Sequence, residues 1–374
     1  MKKVLVTGAS GFIGRHLVVA LRRKGYDVRE LGRNATPDDW QHAVSDIDIA
    51  FHLAGINRTT RESQFQEGNA ELTRRLCRDL EATGRATPLV LSSSSQADSG
   101  ETAYGRSKRD AESAVKAYQK ATGAPVYIYR LCNVFGKWSR PNYNTVVATF
   151  CHNLSRGLPV TVTDRSAALR FVHVDDVVAS FLRNAETNDC ETPEAFLEAG
   201  PIRNITLGEL HDLLASFQRD RKTFVLPDLS DPLIKCLHST FLSFVETKDL
   251  ANPVEMKQDN RGWLFELIKS PHVGQIFVST TKAGVTRGNH YHDRKVEKFC
   301  VIQGRGIIRF RQVGQSAVFE YPVDDMKIQV VDIPPGYTHS ITNIGETDMI
   351  TLFWANEIFD ASAPDTYFLP VHAD

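Results

Sequence analysis

The sequence lacks a clear excess of charge of one sign, which argues against a nucleic-acid partner. Its 374 residues include 44 lysines and arginines against 45 aspartates and glutamates, for a net charge of −1, whereas a nucleic-acid-binding surface usually shows as a basic surplus. No apolar run approaches the roughly 18–20 residues that a membrane helix needs, and the apolar start 4–6 ends too early for a signal peptide. Six widely spaced cysteines predict reduced thiols rather than a disulfide framework. We therefore expect a cytoplasmic protein with neither a nucleic-acid nor a membrane partner.

The first half of the chain alternates strand-like and helix-like segments. Short β-rich runs predict strands, and apolar residues at three-to-four spacing predict helices. The predicted strands are 3–7, 27–31, 49–53, 89–92 and 126–131, and the predicted helices include 70–83, 105–122 and one that opens at a capping box, Thr206 to Glu209. This alternation predicts a parallel α/β sheet with helices on both faces.

The pattern changes after about residue 250. Short strand-like runs at 274–281, 297–302, 306–311, 328–333 and 347–354 are separated by Gly, Pro, Asn and Asp. Closely spaced short strands predict an all-β sandwich or barrel. We therefore predict two domains, residues 1–245 and residues 246–374, with no secondary-structure signal in the stretch 227–253 around the boundary.

Three glycines, Gly8, Gly11 and Gly14, separate the first predicted strand from the first predicted helix. Glycine lets the backbone turn tightly there, and the free N–H groups and dipole of a helix N-terminus favour an anion such as a pyrophosphate. Such a turn can also serve only to pack a helix on a sheet. Its position at the start of the chain nevertheless predicts a dinucleotide site.

Tyr104 and Lys108 are spaced i and i+4 at the start of a predicted helix, which puts them on one helix face. A nearby ammonium lowers the pKa of a phenol from about 10, so that proton exchange with a substrate oxygen becomes feasible near neutral pH. The serine run 92–95, about ten residues upstream, supplies hydroxyls for the same oxygen. A surface helix that happens to carry both residues is the alternative interpretation.

Together these segments resemble the extended short-chain dehydrogenase/reductase family over about residues 1–245. The matching motifs are Thr7-Gly8-x-x-Gly11-x-x-Gly14, His52-Leu-Ala-Gly55, Tyr104-x-x-x-Lys108, Arg130-Leu-Cys-Asn133-Val-Phe-Gly136 and Arg170-Phe-Val-His-Val-Asp175-Asp176. The resemblance implies a Rossmann-like doubly wound sheet, with Tyr104 as proton donor or acceptor, Lys108 as the group that tunes its pKa, and Ser94 as the third catalytic residue. Ser93 and Ser95 stay open as alternatives to Ser94. The resemblance also implies a cofactor site made of Gly8, Gly11, Phe12, Ile13, Gly14 and Lys108. It implies a substrate site that includes Asn133 and Arg170.

One departure from the family pattern concerns the choice of cofactor. NAD-preferring members carry an acidic residue at the end of the second strand, which binds the ribose 2′-hydroxyl. Here Gly32 and Arg33 occupy that place. Without the carboxylate a 2′-phosphate is not repelled, and Arg33 can pair with it. We therefore predict NADPH as the cofactor and Arg33 as one of its ligands, with a solvated surface arginine as the alternative.

The second half of the chain carries the spacing of a metal site. His290 and His292 point to one face of a strand, Glu297 can return to them after a turn, and His339 adds a third imidazole from a later strand. Three nitrogens and one oxygen suit a divalent zinc, iron, manganese or nickel ion.

Both halves of this pattern match the two cupin motifs, over residues 250–374. The motifs are Gly284-(x5)-His290-x-His292-(x4)-Glu297-(x6)-Gly304 and Pro334-x-Gly336-(x2)-His339-(x3)-Asn343. The cupin resemblance implies a small jelly-roll barrel around the metal, for which we predict zinc. Ile328 replaces a glycine of the motif, which affects a turn and not a ligand.

A short-chain reductase followed by a metal cupin resembles the bifunctional capsular polysaccharide epimerase/reductases of bacteria. This resemblance implies a homodimer and a UDP-sugar substrate, a UDP-linked 2-acetamido-2,6-dideoxy-hexos-4-ulose. The cupin would epimerise C3, whose proton is acidic beside the C4 ketone. The reductase would then reduce C4 to give a UDP-2-acetamido-2,6-dideoxy-L-talose, on the route to UDP-N-acetyl-L-fucosamine.

Three alternatives stay open. The first domain could be a 4,6-dehydratase or 4-epimerase with tightly bound NAD, although those dehydratases place acids just after the serine run, where this chain has Gln96 and Ala97. The chain could be a non-enzymatic NADP- or sugar-binding scaffold, against which the intact tyrosine–lysine pair argues. The cupin metal could be purely structural. Four side chains near the ligands in sequence are acid–base candidates between which the pattern does not choose: Tyr291, Lys298, Asp332 and Tyr337.

Overall fold

The computed structural model describes residues 1–32, 35–186 and 196–372, and the chain divides into two compact units. The first unit contains Met1–Leu214 and Ser239–Val245, and the second contains Ala215–His238 and Glu246–Asp374. Residues 215–238 thus group with the second unit, and the domain boundary at residue 245 stays a prediction. Within the three described ranges, no helix has both the length and the apolar character needed to cross a membrane.

The first unit is built on a parallel sheet of five strands. These are β1 Lys3–Thr7, β2 Asp27–Leu31, β3 Ile49–His52, β4 Leu89–Ser94 and β5 Val126–Leu131, in the spatial order β2–β1–β3–β4–β5. Helices Phe12–Arg23 and Val174–Glu186 pack on one face, and helices Pro37–Val44, Leu72–Glu81 and Ala103–Thr122 pack on the other. Val4, Leu5 and Val6 are fully buried, as expected for a strand covered on both faces. This is the predicted doubly wound sheet.

A three-stranded sheet follows in the chain. Its strands are β6 Asn133–Phe135, β7 Ala168–His173 and β8 Arg203–Thr206, and further helices are Val146–Ser155, Leu207–Asp220 and Pro232–Leu242. The predicted capping box is present at the start of Leu207–Asp220. Thr206 N donates to Glu209 Oε2 at 2.8 Å, and Glu209 N donates to Thr206 Oγ1 at 3.2 Å. Helix Pro232–Leu242 lies in the stretch 227–253, for which the sequence offers no secondary-structure signal.

The second unit is built on two antiparallel sheets. The first sheet has the order β16–β13–β18–β11–β10–β9, and its strands are β9 Lys257–Asp259, β10 Gly262–Ser270, β11 Gly274–Thr281, β13 Glu297–Gln303, β16 Val330–Ile333 and β18 Met349–Ala355. The second has the order β15–β14–β17–β12–β19, and its strands are β12 Thr286–Tyr291, β14 Arg305–Gln312, β15 Val318–Asp324, β17 Tyr337–Asn343 and β19 Tyr367–Phe368. Phe299, Phe310, Ile341 and Phe353 from both sheets pack into one core. The predicted all-β architecture is therefore confirmed.

Candidate functional sites

Tyr104 and Lys108 lie on one face of helix Ala103–Thr122, at the end of strand β4. Thr102 caps this helix by accepting a 2.9 Å hydrogen bond from the third residue of the helix. Lys108 Nζ lies 6.0 Å from the centre of the Tyr104 ring and donates a 2.9 Å hydrogen bond to the main-chain carbonyl of Ser92. The structure therefore brings the predicted pair together beside the serine run.

The three candidate serines have different surroundings. Ser93 donates a 2.5 Å hydrogen bond to the buried carboxylate of Glu112. The Ser94 hydroxyl lies near the Tyr104 phenol, whose pKa it lowers, and it accepts a 3.2 Å hydrogen bond from Gln96 N. Ser95 is exposed and precedes a short helix. The hydroxyl in contact with the tyrosine is thus that of Ser94.

Burial governs the ionisation of the pair. Lys108 is 8% exposed, and burial lowers its pKa from 10.5 to about 8, although Glu112 acts in the opposite direction. Burial also raises the pKa of Tyr104, and the hydrogen bond with Ser94 offsets this only in part. The expectation of a lowered phenol pKa is therefore wrong for the protein without ligands, because the loss of water around the phenol dominates. A phenol that keeps its proton suits a proton donor.

Asn69 is a site residue that no sequence motif indicates. It lies in a π-helical turn, Gln66–Glu71, a feature that often marks functional sites. Its Oδ1 accepts a 2.8 Å hydrogen bond from Ile56 N, and its amide donates to Ile56 O at 2.9 Å. A Cβ at Gly55 would lie 2.7 Å from Asn69 Oδ1 and 3.4 Å from Lys108 Nζ. Asn69 thus fixes the loop after β3 closely against the lysine.

The glycine turn after β1 has the geometry that a pyrophosphate site requires. Gly8 has a φ of +69°, and a Cβ at Gly14 would lie 2.1 Å from Gly8 O, so side chains are excluded at both positions. Gly11 precedes the first helix, whose first turn has no side-chain cap. The N–H groups of that turn are therefore available to an anion. The predicted cofactor residues in it are Phe12, Ile13 and Gly14.

Arg33 lies outside the described residues, so its contact with the cofactor stays a prediction. The preceding Gly32 is exposed at the end of β2, beside a cavity of about 420 Å³. Two carboxylates line this cavity. Glu30 pairs with an arginine of the first helix at 2.6 Å, and Asp39 accepts the 2.7 Å hydrogen bond that caps the following helix. Both carboxylates therefore already have an ion-pair or hydrogen-bond partner within the chain.

Asn133 and Arg170 lie side by side on strands β6 and β7. The Asn133 amide donates a 3.1 Å hydrogen bond to the main-chain carbonyl of Arg170, whose guanidinium pairs with Glu198 at 3.1 Å. Both side chains are exposed. The structure thus brings the two predicted substrate residues together and leaves them accessible.

The four predicted metal ligands converge in the second unit. Ligand atoms of His290, His292, Glu297 and His339 all lie within 4.8 Å of one another. Glu297 Oε2 lies 3.2 Å from His292 Nε2 and 3.4 Å from His339 Nε2. Nε2 of His339 is buried without a partner of good hydrogen-bonding geometry in the described part of the chain. This donor set fits a divalent cation.

Each imidazole is supported from behind by a main-chain carbonyl. His292 Nδ1 lies 2.6 Å from Asp365 O. His290 and His339 each bond the carbonyl of the residue two positions earlier in the chain, for His339 at 3.2 Å. Because a carbonyl only accepts, it fixes the N–H on one ring nitrogen and leaves the lone pair of the other for a metal.

The charges of the cluster favour ligating protonation states. Burial and the neighbouring imidazoles lower the pKa of His290 to about 4. Burial alone would raise the pKa of Glu297, but the hydrogen bond with His292 and the charge of the nearby His339 imidazole hold it well below its usual range. The pKa of His292 is raised, since the Glu297 carboxylate outweighs burial there. A bound cation would take the place of the proton that this pair attracts.

Strand register distinguishes the acid–base candidates near the metal ligands. Side chains alternate between the two faces of a strand. Lys298 follows a ligand directly and therefore points outward, where it pairs with Asp332 at 2.5 Å. Tyr291 stacks on a second tyrosine, with ring centres 5.2 Å apart. Tyr337, two residues before His339, shares that ligand's face and packs on the barrel core.

Comparisons with known proteins match each part of the chain to a protein family. Residues 4–197 match the NAD dependent epimerase/dehydratase family, and residues 257–367 match the polysaccharide biosynthesis C-terminal domain. The chain belongs to the NAD dependent epimerase/dehydratase family. It is 42% identical to the UDP-2-acetamido-2,6-beta-L-arabino-hexul-4-ose reductase of Pseudomonas aeruginosa, over 98% of each chain. Its structure is similar to that of the capsular polysaccharide assembling protein CapF from Staphylococcus aureus, with a TM-score of 0.91 and 40% identity over 98% of this chain and 100% of that one.

A third similarity covers about half of the chain. The structure of MoeE5 in complex with UDP-glucuronic acid and NAD is 26% identical, with a TM-score of 0.51, over 56% of this chain and 80% of that one. The full-length matches confirm the resemblance and the fold class drawn from the sequence. This member of the epimerase/dehydratase family is a capsular polysaccharide epimerase/reductase, in which an NAD(P)-dependent reductase unit precedes a cupin unit.

Proposed function

We propose that the first unit reduces the C4 ketone of a UDP-linked 2-acetamido-2,6-dideoxy-hexos-4-ulose with NADPH, after the barrel unit has epimerised C3. The product is a UDP-2-acetamido-2,6-dideoxy-L-talose, on the route to UDP-N-acetyl-L-fucosamine for capsule or O-antigen. The observation that carries this proposal is the 42% identity, over 98% of both chains, to a reductase named for a UDP-linked hexul-4-ose. Reduction after epimerisation is chemically reasonable, because removing the ketone fixes the new stereocentre.

In the reductive step, Tyr104 gives its phenolic proton to the C4 oxygen. The dinucleotide, when bound, supplies the hydride to C4, and Arg33 would pair with its 2′-phosphate. The raised pKa of Tyr104 keeps the proton on the phenol until negative charge develops on the substrate oxygen. Ser94 hydrogen-bonds to that oxygen, and Lys108 stabilises the phenolate that remains.

In the epimerisation step, the three histidines and Glu297 would hold a divalent cation, for which we propose zinc. Such a cation, when bound, stabilises the negative charge that develops on the C4 oxygen when the C3 proton is removed. Tyr337 is our candidate for proton transfer at C3, because it shares the inward face of its strand with His339. Four protein ligands would complete a tetrahedral zinc site, so direct contact with substrate would require coordination beyond four. A metal that only holds the barrel together is the second candidate role.

The serine run also favours a reductase over a 4,6-dehydratase. Dehydratases of this family need an acid directly beyond the serines. Here the first acid after the run, Asp98, pairs with Arg130 at 2.8 Å, and its side chain is 82% exposed. It is therefore neutralised by a partner rather than poised to transfer a proton.

The test is to incubate the purified protein in D₂O with NADPH and the UDP-linked 4-keto sugar. We expect one NADPH to be oxidised per product molecule, and deuterium at C3 of that product. Turnover without net NADPH oxidation would favour a dehydratase or 4-epimerase with a retained nucleotide. Binding without turnover would favour a scaffold.

Assembly and location are separate proposals. A homodimer follows from the family resemblance, and light scattering after size-exclusion chromatography tests it. A cytoplasmic location follows from the dependence on NADPH and a UDP-sugar, and fractionation of the source cells tests it.

A further inference from the structure

We propose that the C-terminal segment 364–371, here called the strap, positions His292 and His290 for metal binding, and that Asp365 is its principal positioning residue. The inference rests on the metal site of the proposed function. It adds to that site a segment that contains none of the predicted ligands.

His292 depends on the strap for its orientation. The carbonyl that supports its Nδ1, at 2.6 Å, belongs to Asp365, which lies 73 residues later in the chain. His290 and His339 instead bond carbonyls two positions before them. The ring nitrogens of those two histidines are therefore held by carbonyls of their own strands, whereas the ring nitrogen of His292 is held by the strap itself.

Asp365 is fixed by its own carboxylate. The side-chain oxygens accept hydrogen bonds from the main-chain N–H groups of Asp293, Arg294 and Lys295, at 3.1, 2.9 and 2.9 Å. These three residues follow His292 directly, so one aspartate holds both the ligand ring and the loop that leaves it. Asp365 is 7% exposed and has a φ of +40°, a conformation that is uncommon for residues other than glycine. The three hydrogen bonds offset the strain of this conformation.

The strap also contacts the residue before His290. Asn289 has a φ of +59° and forms a bulge that shifts the register of β12. Its main-chain carbonyl accepts a 2.9 Å hydrogen bond from Leu369 N, and its Oδ1 accepts a 3.2 Å hydrogen bond from Val371 N. Bulges re-aim side chains next to active sites, and here the strap holds the bulge that sets the direction of His290.

Two further side chains anchor the strap to the strands around the third histidine. Thr338, next to His339, donates a hydrogen bond to Leu369 O. Arg311, which is 8% exposed and pairs with Thr338 in register, donates to two strap carbonyls at 2.7 Å each. The strap thus bonds to His292 itself and to the immediate neighbours of the other two imidazoles.

The experiment measures metal binding by the full-length chain and by Asp365→Ala. Zn²⁺ affinity is determined by competition with a chromophoric chelator, and the ligand geometry is followed by the absorption bands of bound Co²⁺. We expect Asp365→Ala to bind Zn²⁺ about 10–100-fold more weakly, the usual effect of losing a residue that supports a ligand, and to show shifted Co²⁺ bands. Asp365→Asn retains one acceptor oxygen and tolerates the left-handed backbone, so it should recover most of the affinity.

Asp360→Ala is the matched control. Asp360 lies a few residues before the strap and is exposed. Its carboxylate accepts hydrogen bonds from Ser362 at 2.8 and 2.7 Å, and its main-chain carbonyl accepts one from Ala363 N at 3.2 Å. It should bind both metals like the parent protein. If Asp365→Ala does not fold by circular dichroism, Asp365→Gly replaces it, because glycine keeps the carbonyl and the positive φ but removes the carboxylate.

The role of the strap is overturned if a folded Asp365→Ala or Asp365→Gly protein keeps the Zn²⁺ affinity and the Co²⁺ spectrum of the parent protein. The metal site itself would then still stand. A parent protein that takes up neither metal overturns the metal site, and the role of the strap with it.

Discussion

The hydroxyl of Ser93 donates a 2.5 Å hydrogen bond to the carboxylate of Glu112. The neighbouring Ser94 instead contacts Tyr104. Two adjacent serines at the end of one strand therefore have different roles. Ser93 holds the carboxylate of Glu112, which pairs with Arg130 at 2.8 Å, and Ser94 lies at the proposed site of reduction. This difference gives a matched pair of substitutions.

We expect Ser94→Ala to lower kcat for ketone reduction about 100-fold, the scale for removing one donor to a developing oxyanion, with little change in stability. Ser93→Ala should keep the rate and lower the free energy of unfolding by about 1.5–3 kcal/mol, because it removes a hydrogen bond to a charged group. Steady-state kinetics and denaturant unfolding measure the two effects. The opposite pattern would assign the catalytic hydroxyl to Ser93.

Tyr104→Phe should lower ketone reduction by about 100-fold or more, because the proton donor is lost. The aromatic ring that packs against Phe65, with ring centres 5.7 Å apart, is retained, so the fold and cofactor binding should persist. Deuterium exchange at C3 should also continue, since it belongs to the other unit. Near-normal reduction by this variant would refute the proton-donor role.

The pH dependence of reduction should follow Lys108. Because burial lowers its pKa from 10.5 to about 8, the folded enzyme loses this positive charge as the pH rises through about 8, whereas an unfolded lysine keeps it to about 10.5. We expect kcat/KM for NADPH, which reports the free enzyme, to decline above about pH 8. The same shift makes the free energy of unfolding increase as the pH rises from about 8 to about 10.5, because in this range the unfolded chain binds more protons than the folded protein.

Lys108→Met provides the comparison for this profile. It should have a low rate at every pH and no decline above pH 8. A kcat/KM profile of the parent enzyme that stays flat to pH 9.5 would show that the charge of Lys108 is not needed.

Burial alone does not decide which strands the sequence predicts, since β17 is buried along most of its length but is not among the predicted strands. β1, β5 and β11 agree with the predicted strands at both ends, because β-rich runs with clear ends mark them, and so does the mostly half-buried edge strand β2. β15 carries no such signal, since four consecutive residues of this edge strand are exposed. β6 is only three residues long, too short for any periodicity.

The candidate sites show the same limit. The metal ligands could be predicted because each is itself a ligating side chain at a recurring spacing. Asp365 could not, because it acts through a main-chain carbonyl on a residue 73 positions away. The raised pKa of Tyr104 was also beyond the sequence, since it depends on how many neighbours exclude water from the phenol.

Cofactor preference should depend on Arg33. Arg33→Ala should weaken NADPH binding by about 1.5–3 kcal/mol, the range for a hydrogen bond to a charged group. NADH, which lacks the 2′-phosphate, should bind nearly as before. Isothermal titration with both nucleotides measures this difference, and equal losses for the two would contradict the assignment.

The last prediction separates metal binding from proton transfer in the barrel. His290→Ala should lose bound metal, because one of three imidazole ligands is removed, and deuterium entry at C3 should fall with it. Tyr337→Phe should keep the metal, since Tyr337 supports His339 through its main-chain carbonyl and not its side chain. Its exchange rate should nevertheless fall about 100-fold or more, as for the loss of an acid–base group. Metal content by atomic absorption and deuterium incorporation by NMR distinguish the two variants. Normal exchange in folded, metal-free His290→Ala would make the metal structural, and normal exchange in Tyr337→Phe would move the proton transfer to another side chain of the barrel.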